Sequence, residues 1–244
     1  MKRIIFLAFI FGTFIMSCTC SNNFIEYSTG DIKVSVEQGK NWIHGFPLFM
    51  GIELKNSPQI AIWLTDMSGN YLATVYVSKK IASEGWVFNN NNRRRESLPV
   101  WCYARNIQYP DGLYLPTKKQ PLPDSVTGAT PKGSFSVKLA PAEKLKQFKV
   151  RVEVNHSRDF NENYPETDAI SGATSQGNSS YSAESGQPAL VYEASVDLLS
   201  GNKKFDAQLI GHSSPDGTSG NIESDTSKIT TALDIIKRIT VEVN

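Results

Sequence analysis

Two threonines in this chain share one local setting, and the setting is what gives their hydroxyls chemical scope. The first string runs Asp124-Ser-Val-Thr127-Gly128-Ala129-Thr130 and the second Asp168-Ala-Ile-Ser171-Gly172-Ala173-Thr174, each followed three residues on by a glycine, Gly133 and Gly177. A threonine hydroxyl is a weak nucleophile, so group transfer onto Thr130 or Thr174 needs activation from outside the chain. What the chain itself must supply is access. Glycine lets a ligand approach the backbone closely, and alanine leaves room beside the hydroxyl. The aspartate six residues upstream, Asp124 or Asp168, can fix the loop by accepting bonds from nearby amides. On this reading Thr130 and Thr174 are acceptors of a group and not catalysts. The same residue types also build tight Asx-type turns that need no ligand, and that alternative stands beside the first.

The segments between and around these strings read mostly as strands. Residues 31–36, 59–65, 71–77, 134–139 and 148–154 carry apolar side chains at alternate positions, with further candidates at 189–196, 205–210 and 239–243. Asp66-Met-Ser-Gly69-Asn70 between two of these runs is a turn, and it makes them a hairpin. Short strands with Gly, Asn, Pro and Ser between them, and without long helical crossovers, predict an all-β fold, an immunoglobulin-like two-sheet β-sandwich with long loops over residues 31–244. Only Asp225 to Lys237 has any helical pattern, weakened by Thr230, Thr231 and the isoleucines. Residues 79–133 and 155–188 are long, polar excursions, and each contains or ends near one acceptor string.

The N-terminus reads as an export signal. Lys2 and Arg3 precede an apolar run from Ile4 to Met16, and Ile15-Met16-Ser17-Cys18 ends in a cysteine. The run is too short to span a bilayer as a mature helix. Residues 1–17 are expected to be a lipoprotein signal peptide, with lipidated Cys18 as the first mature residue, residues 18–30 a flexible tether, and a periplasmic or outer-membrane anchor through the lipid. An ordinary secretory signal is the alternative. Removing Lys2 and Arg3 leaves 23 basic against 24 acidic residues, a near-neutral balance that argues against a nucleic-acid partner. Of the three cysteines, Cys20 and Cys102 remain after lipidation and an oxidising compartment permits a bridge between them. The three histidines, His44, His156 and His212, form no motif and read as surface-loop residues.

The two Gly-Ala-Thr strings resemble the acceptor sequence that a magnesium-dependent flavin transferase modifies in bacterial extracytoplasmic electron-transfer proteins, where FMN is joined through its phosphate to the last threonine. The second string, ending in Thr174, is the closer match to the flavin-carrying subunits of ion-pumping quinone reductases. Pro131, directly after Thr130, departs from that pattern and pushes Thr130 towards an extended conformation. A wider resemblance rests on Trp63-Leu-Thr-Asp66-Met-Ser-Gly69-Asn70-Tyr71-Leu, Arg93-Arg94-Arg95-Glu-Ser-Leu98-Pro99-Val-Trp101 and Asp124 to Gly133. It continues through Gly186-Gln-Pro188-Ala-Leu-Val-Tyr192 and Gly211-His212-Ser-Ser-Pro-Asp216-Gly217. Together these are similar to the predicted periplasmic family of domain of unknown function 2271. What the resemblance implies is a setting alongside flavin transferases and membrane-embedded reductases of the peptidase-propeptide-like type.

A flavin gains negative charge on reduction, so a cation beside it is expected, and Arg94, flanked by Arg93 and Arg95, is the candidate. Trp86 and Trp101 bracket the triplet and are candidates for stacking on the ring; a solvated basic loop with core tryptophans is the alternative. Asp216-Gly-Thr-Ser-Gly-Asn221-Ile-Glu223-Ser-Asp225 is oxygen-rich but lacks the EF-hand order, so it reads as a turn-rich loop. No nucleophile elbow is present, which leaves a hydrolase without support. Two functions follow as expectations: a lipid-anchored carrier of covalent FMN that relays electrons, or a non-catalytic binding or assembly lipoprotein on a sandwich scaffold.

Overall fold

The computed structural model describes residues 30–47, 53–85, 93–123, 127–140, 145–166 and 185–244. The signal, Cys18, Cys20, Trp86, Asp124 and the whole second string from Asp168 to Thr174 lie outside the described residues.

Alternation sets the first sheet. In β1 (Ile32–Gln38) the side chains of Ile32, Val34 and Val36 are buried while Lys33, Ser35 and Glu37 are partly exposed, the period-two pattern of a strand with one wet face. This strand lies between β13 (Ile236–Val243) and β7 (Phe135–Leu139), and β10 (Lys204–Asp206) extends the sheet beyond β13, all pairs antiparallel. The second sheet has seven strands. Its order is β12 (Ile222–Glu223), β11 (Gln208–Ser213), β9 (Leu190–Asp197), β8 (Gln147–Asn155), β4 (Gln59–Thr65), β5 (Tyr71–Ser78) and β6 (Thr127–Gly128). Every pair is antiparallel except β5 with β6, which is parallel. A separate ribbon pairs β2 (His44–Pro47) with β3 (Glu53–Asn56). The two-sheet, all-β sandwich read from periodicity is the observed architecture.

The hairpin of β4 and β5 forms as the turn residues dictate. Gly69 has φ +94°, a conformation glycine adopts without steric cost. Asp66 accepts from the Asn70 backbone amide at 2.9 Å, closing the turn with its side chain.

Between the sheets Ile60, Ile62, Phe148, Val150, Val152, Val154 and Leu190 of the larger sheet meet Val34, Val36, Phe135, Val137, Ile239 and Val241 of the smaller one. A second core lies on the opposite face of the larger sheet. There Ala61, Trp63, Val77 and Val191 are covered by Ile81 and Ala82 of α1 (Lys79–Ala82), by Val100, Trp101 and Cys102 of α2 (Pro99–Ala104), and by Leu98 and Leu115. Strand β4 is consequently buried along its whole length. Ala61 and Trp63 occupy the positions a half-exposed strand would give to polar residues, because this strand faces two cores.

Three readings need correction. Asp225 to Lys237 is not a helix: a 3₁₀ turn at Thr231–Asp234 leads straight into β13, where the β-branched residues prefer to be. The described parts of the excursion at 79–133 are not only loop, since α1, α2, Leu98 and Leu115 pack into the second core. His156 and His212 are buried, at 2% and 4% exposure, with ring nitrogens facing backbone carbonyls: His156 Nε2 donates to the Asn41 carbonyl at 2.8 Å, and His212 Nδ1 and Nε2 lie 2.8 and 3.0 Å from the carbonyls of Ser213 and Asp225. Burial pushes the His156 pKa down to about 4, so it is neutral in ordinary buffers.

Candidate functional site

The first acceptor string leaves the larger sheet and enters the smaller one. Thr127 and Gly128 pair with Val77 and Ser78 at the edge of β5, and Phe135 opens β7. The link between them is tied at four points. The Tyr76 hydroxyl lies 3.2 Å from the Ala129 carbonyl and Trp42 Nε1 donates to the Pro131 carbonyl at 3.0 Å. Gln38 and Ser134 then exchange two bonds: Gln38 N donates to Ser134 Oγ at 3.0 Å, and Ser134 N donates to Gln38 Oε1 at 3.1 Å. A Cβ at Gly133 would stand 2.5 Å from that Gln38 oxygen, so glycine there preserves the exchange. Thr130 is thereby carried on a backbone fixed to both sheets.

Thr130 and Ala129 form part of the wall of an open cavity of about 460 Å³, within the usual range for small-molecule sites. The rest of the wall comes from two other places: Lys55, Asn56 and Ser57 where β3 passes into β4, and Lys79, Lys80, Ser83 and Gly85 in and after α1; Lys132 closes it beside the string. Four lysines from three separate segments therefore share one concavity with Thr130. Among the described residues none of these four forms an ion pair, whereas Lys33, Lys40, Lys149 and Lys237 each have a carboxylate partner. Burial holds the Lys80 ammonium below the usual lysine value, and the Arg94 charge adds to the effect.

The arginine triplet is occupied elsewhere. Arg93 pairs with Glu84 at 3.3 Å and with Asp111, and Arg95 Nε donates to the Asp216 carbonyl at 2.9 Å. Arg94, 3% exposed, donates to Ser157 Oγ at 2.7 Å and Ser185 Oγ at 2.8 Å. Those serines stand on the two stems of the excursion that carries Thr174. Asp159 and Gly186 bridge the same stems. Arg94 thus ties together the two described ends of the excursion at 155–188, and its charge lies close enough to Lys80 to disfavour the charged ammonium. Trp101 is fully buried and donates through Nε1 to Thr74 Oγ1 at 2.9 Å; it is a core tryptophan, with Arg105 over its ring at 4.9 Å. Asp216 and Asp225 accept from the amides of Thr218 and Ser227, the bonding of Asx turns.

One buried group escaped the reading of the sequence. Glu153, on β8, lies fully buried in the second core and accepts from the amides of Val100 and Trp101 at 3.1 and 2.8 Å. Desolvation pushes its pKa up to about 8 against those two bonds, which pull it down. Cys102, beside Trp101, is buried and burial pushes its thiol up. The lysine convergence was legible only as the Lys79-Lys80 doublet and the position of Lys132 after Pro131, since Lys55 is remote in sequence. No family model matches the chain, and neither does any curated protein or solved structure with which it was compared.

Proposed function

We propose that this chain is an exported, lipid-anchored protein that carries FMN covalently on Thr130, Thr174 or both, and relays electrons in an extracytoplasmic flavin-based system. The observation that carries the reading is the position of Thr130: an acceptor-like threonine, on a backbone segment tied to both sheets, in the wall of a cavity of about 460 Å³. The described lining fits the phosphate and ribityl end of FMN, since it offers ammonium groups, hydroxyls and an amide and no aromatic ring. Attached FMN supplies the redox chemistry. The protein's own part is to hold the acceptor rigidly, so that a flavin transferase reaches one fixed hydroxyl, and to surround the phosphoester with positive charge. Arg94 holds the stems of the second acceptor loop. The resemblance to the domain-of-unknown-function 2271 family supplies the partners of this reading, a flavin transferase and a membrane reductase of the peptidase-propeptide-like type, and Cys18 supplies the anchor.

Co-expression with a flavin transferase in an exporting cell, followed by intact mass and in-gel fluorescence, tests the proposal. The expected result is a mass increment of one or two FMN groups, with Thr130→Ala or Thr174→Ala removing one increment each where both are modified. A wild-type chain that gains no increment overturns it.

A further inference from the structure

We propose that Lys55, Lys79, Lys80 and Lys132 form a phosphoryl-binding site that works on the unmodified protein, with Ser57 and Ser83 as neutral hydrogen-bonding partners in the same wall. The four ammonium groups belong to segments far apart in the chain, so their meeting in one concavity is a product of the fold and not of a local charge run. Elsewhere on this molecule Glu242 pairs with Lys33 and Glu193 with Lys149. Here the described lining contains no carboxylate.

Concentrating like charges in a concave, partly desolvated place is unfavourable unless an anion completes it. At Lys80, burial and the neighbouring Arg94 charge both disfavour the charged form. The lining also selects the kind of anion. Lysine ammonium groups bind phosphate as point charges. The hydroxyls of Ser57, Ser83 and Thr130 and the Asn56 amide suit the oxygens of a phosphoryl group and of a polyol attached to it. The site is large enough for more than one phosphoryl group.

One chemistry has two sources here: a phosphate carried by a free small molecule, or the phosphoester tethered at Thr130. The assignment rests on the cavity and its charges, and it holds whether or not Thr130 is modified.

The test uses the mature chain made without a flavin transferase, titrated with sodium pyrophosphate in a calorimeter, with free FMN as a second probe. Wild type is expected to bind pyrophosphate saturably, with the affinity weakening as salt is added. Lys80→Gln and Lys132→Gln each weaken binding by about fivefold, Lys80→Arg retains it, and Lys204→Gln, outside the cavity, leaves it unchanged. These are partly or fully exposed side chains, and far-UV circular dichroism verifies the fold of each variant. FMN is expected to bind and to be displaced by pyrophosphate.

Absence of saturable pyrophosphate binding at millimolar concentration overturns the proposal. So does an equal loss in Lys204→Gln, and so does bound FMN that pyrophosphate leaves in place. Pyrophosphate binding to a chain that a transferase never modifies sinks covalent attachment and leaves this site standing; a mass increment without pyrophosphate binding does the reverse.

Discussion

Arg94 shows how a single side chain was misplaced by its neighbours in sequence. Standing in a run of three arginines it looks like part of a solvent-facing cationic patch, yet it is nearly inaccessible and its guanidinium spans Ser157 and Ser185. Removing it leaves the buried Ser185 hydroxyl and the half-buried Ser157 hydroxyl without their charged donor, and Arg94→Ala is expected to cost about 2–4 kcal/mol. Arg94→Lys recovers little of that, because one ammonium cannot reproduce the fork. Urea denaturation measures the loss, and limited proteolysis between the two stems is expected to speed up in both variants. Glu153 makes a separate prediction. An acid whose folded pKa lies above its unfolded value takes up a proton on folding, so its contribution to stability is fully present below the ordinary glutamate value of 4.5 and is lost as pH rises to about 8. The slope is at most about 1.4 kcal/mol per pH unit. Glu153→Gln is expected to flatten that fall relative to wild type, read from urea midpoints at intervals across the window. An unchanged slope in the variant contradicts the assignment.

At the level of elements, the connections carry as much information as the strands. The stretch from β6 to β7 joins the two sheets, and its anchors are Tyr76, Trp42 and the Gln38–Ser134 exchange. Trp42→Phe deletes the bond to Pro131 and also removes part of a fully buried ring, so a loss of about 2–3 kcal/mol is expected, together with slower or heterogeneous modification at Thr130 measured by intact mass over time. The second excursion closes at Gly186. Its φ is +76°, and a Cβ there would lie 2.5 Å from the Asp159 carbonyl oxygen. Gly186→Ala therefore meets both backbone strain and a clash with main chain that has little freedom to yield, and is expected to destabilise the protein by about 2–4 kcal/mol in urea titration. Gly69→Ala tests the distinction, since its nearest obstacle is a flexible Arg151 side chain at 3.7 Å and only the φ contribution of about 1 kcal/mol applies.

The whole molecule is three layers sharing one sheet. Alternate residues of β4 face opposite cores, Ile60 and Ile62 towards the small sheet and Ala61 and Trp63 towards the α1 and α2 layer. Loss of either core withdraws support from the same strand, so unfolding is expected to be a single cooperative transition. Leu98→Ala, in the outer layer, is expected to cost about 2–5 kcal/mol and to lower the midpoints seen by tryptophan fluorescence and by far-UV circular dichroism together. Two separated midpoints contradict this. The cavity beside Thr130 is a product of the same layering, because α1, the β3–β4 corner and the segment after β6 meet only when the outer layer is in place.

The sequence by itself determined the longer strands, the β4–β5 hairpin and the sandwich, because alternation and turn chemistry act within a few residues; the short strands β2, β3, β6 and β12 were not legible in it, and the run at 205–210 divides between β10 and β11. It also supplied the acceptor strings. It did not determine that β4 is buried on both faces, that Asp225 to Lys237 ends in a strand, or that two histidines and Glu153 lie inside, since each depends on what covers a face and not on local propensity. The charge balance of the chain is close to neutral, and it conceals four lysines gathered around Thr130. Only the tertiary structure decided that grouping, because Lys55, the Lys79-Lys80 doublet and Lys132 are separated by long stretches of chain and are brought together by packing.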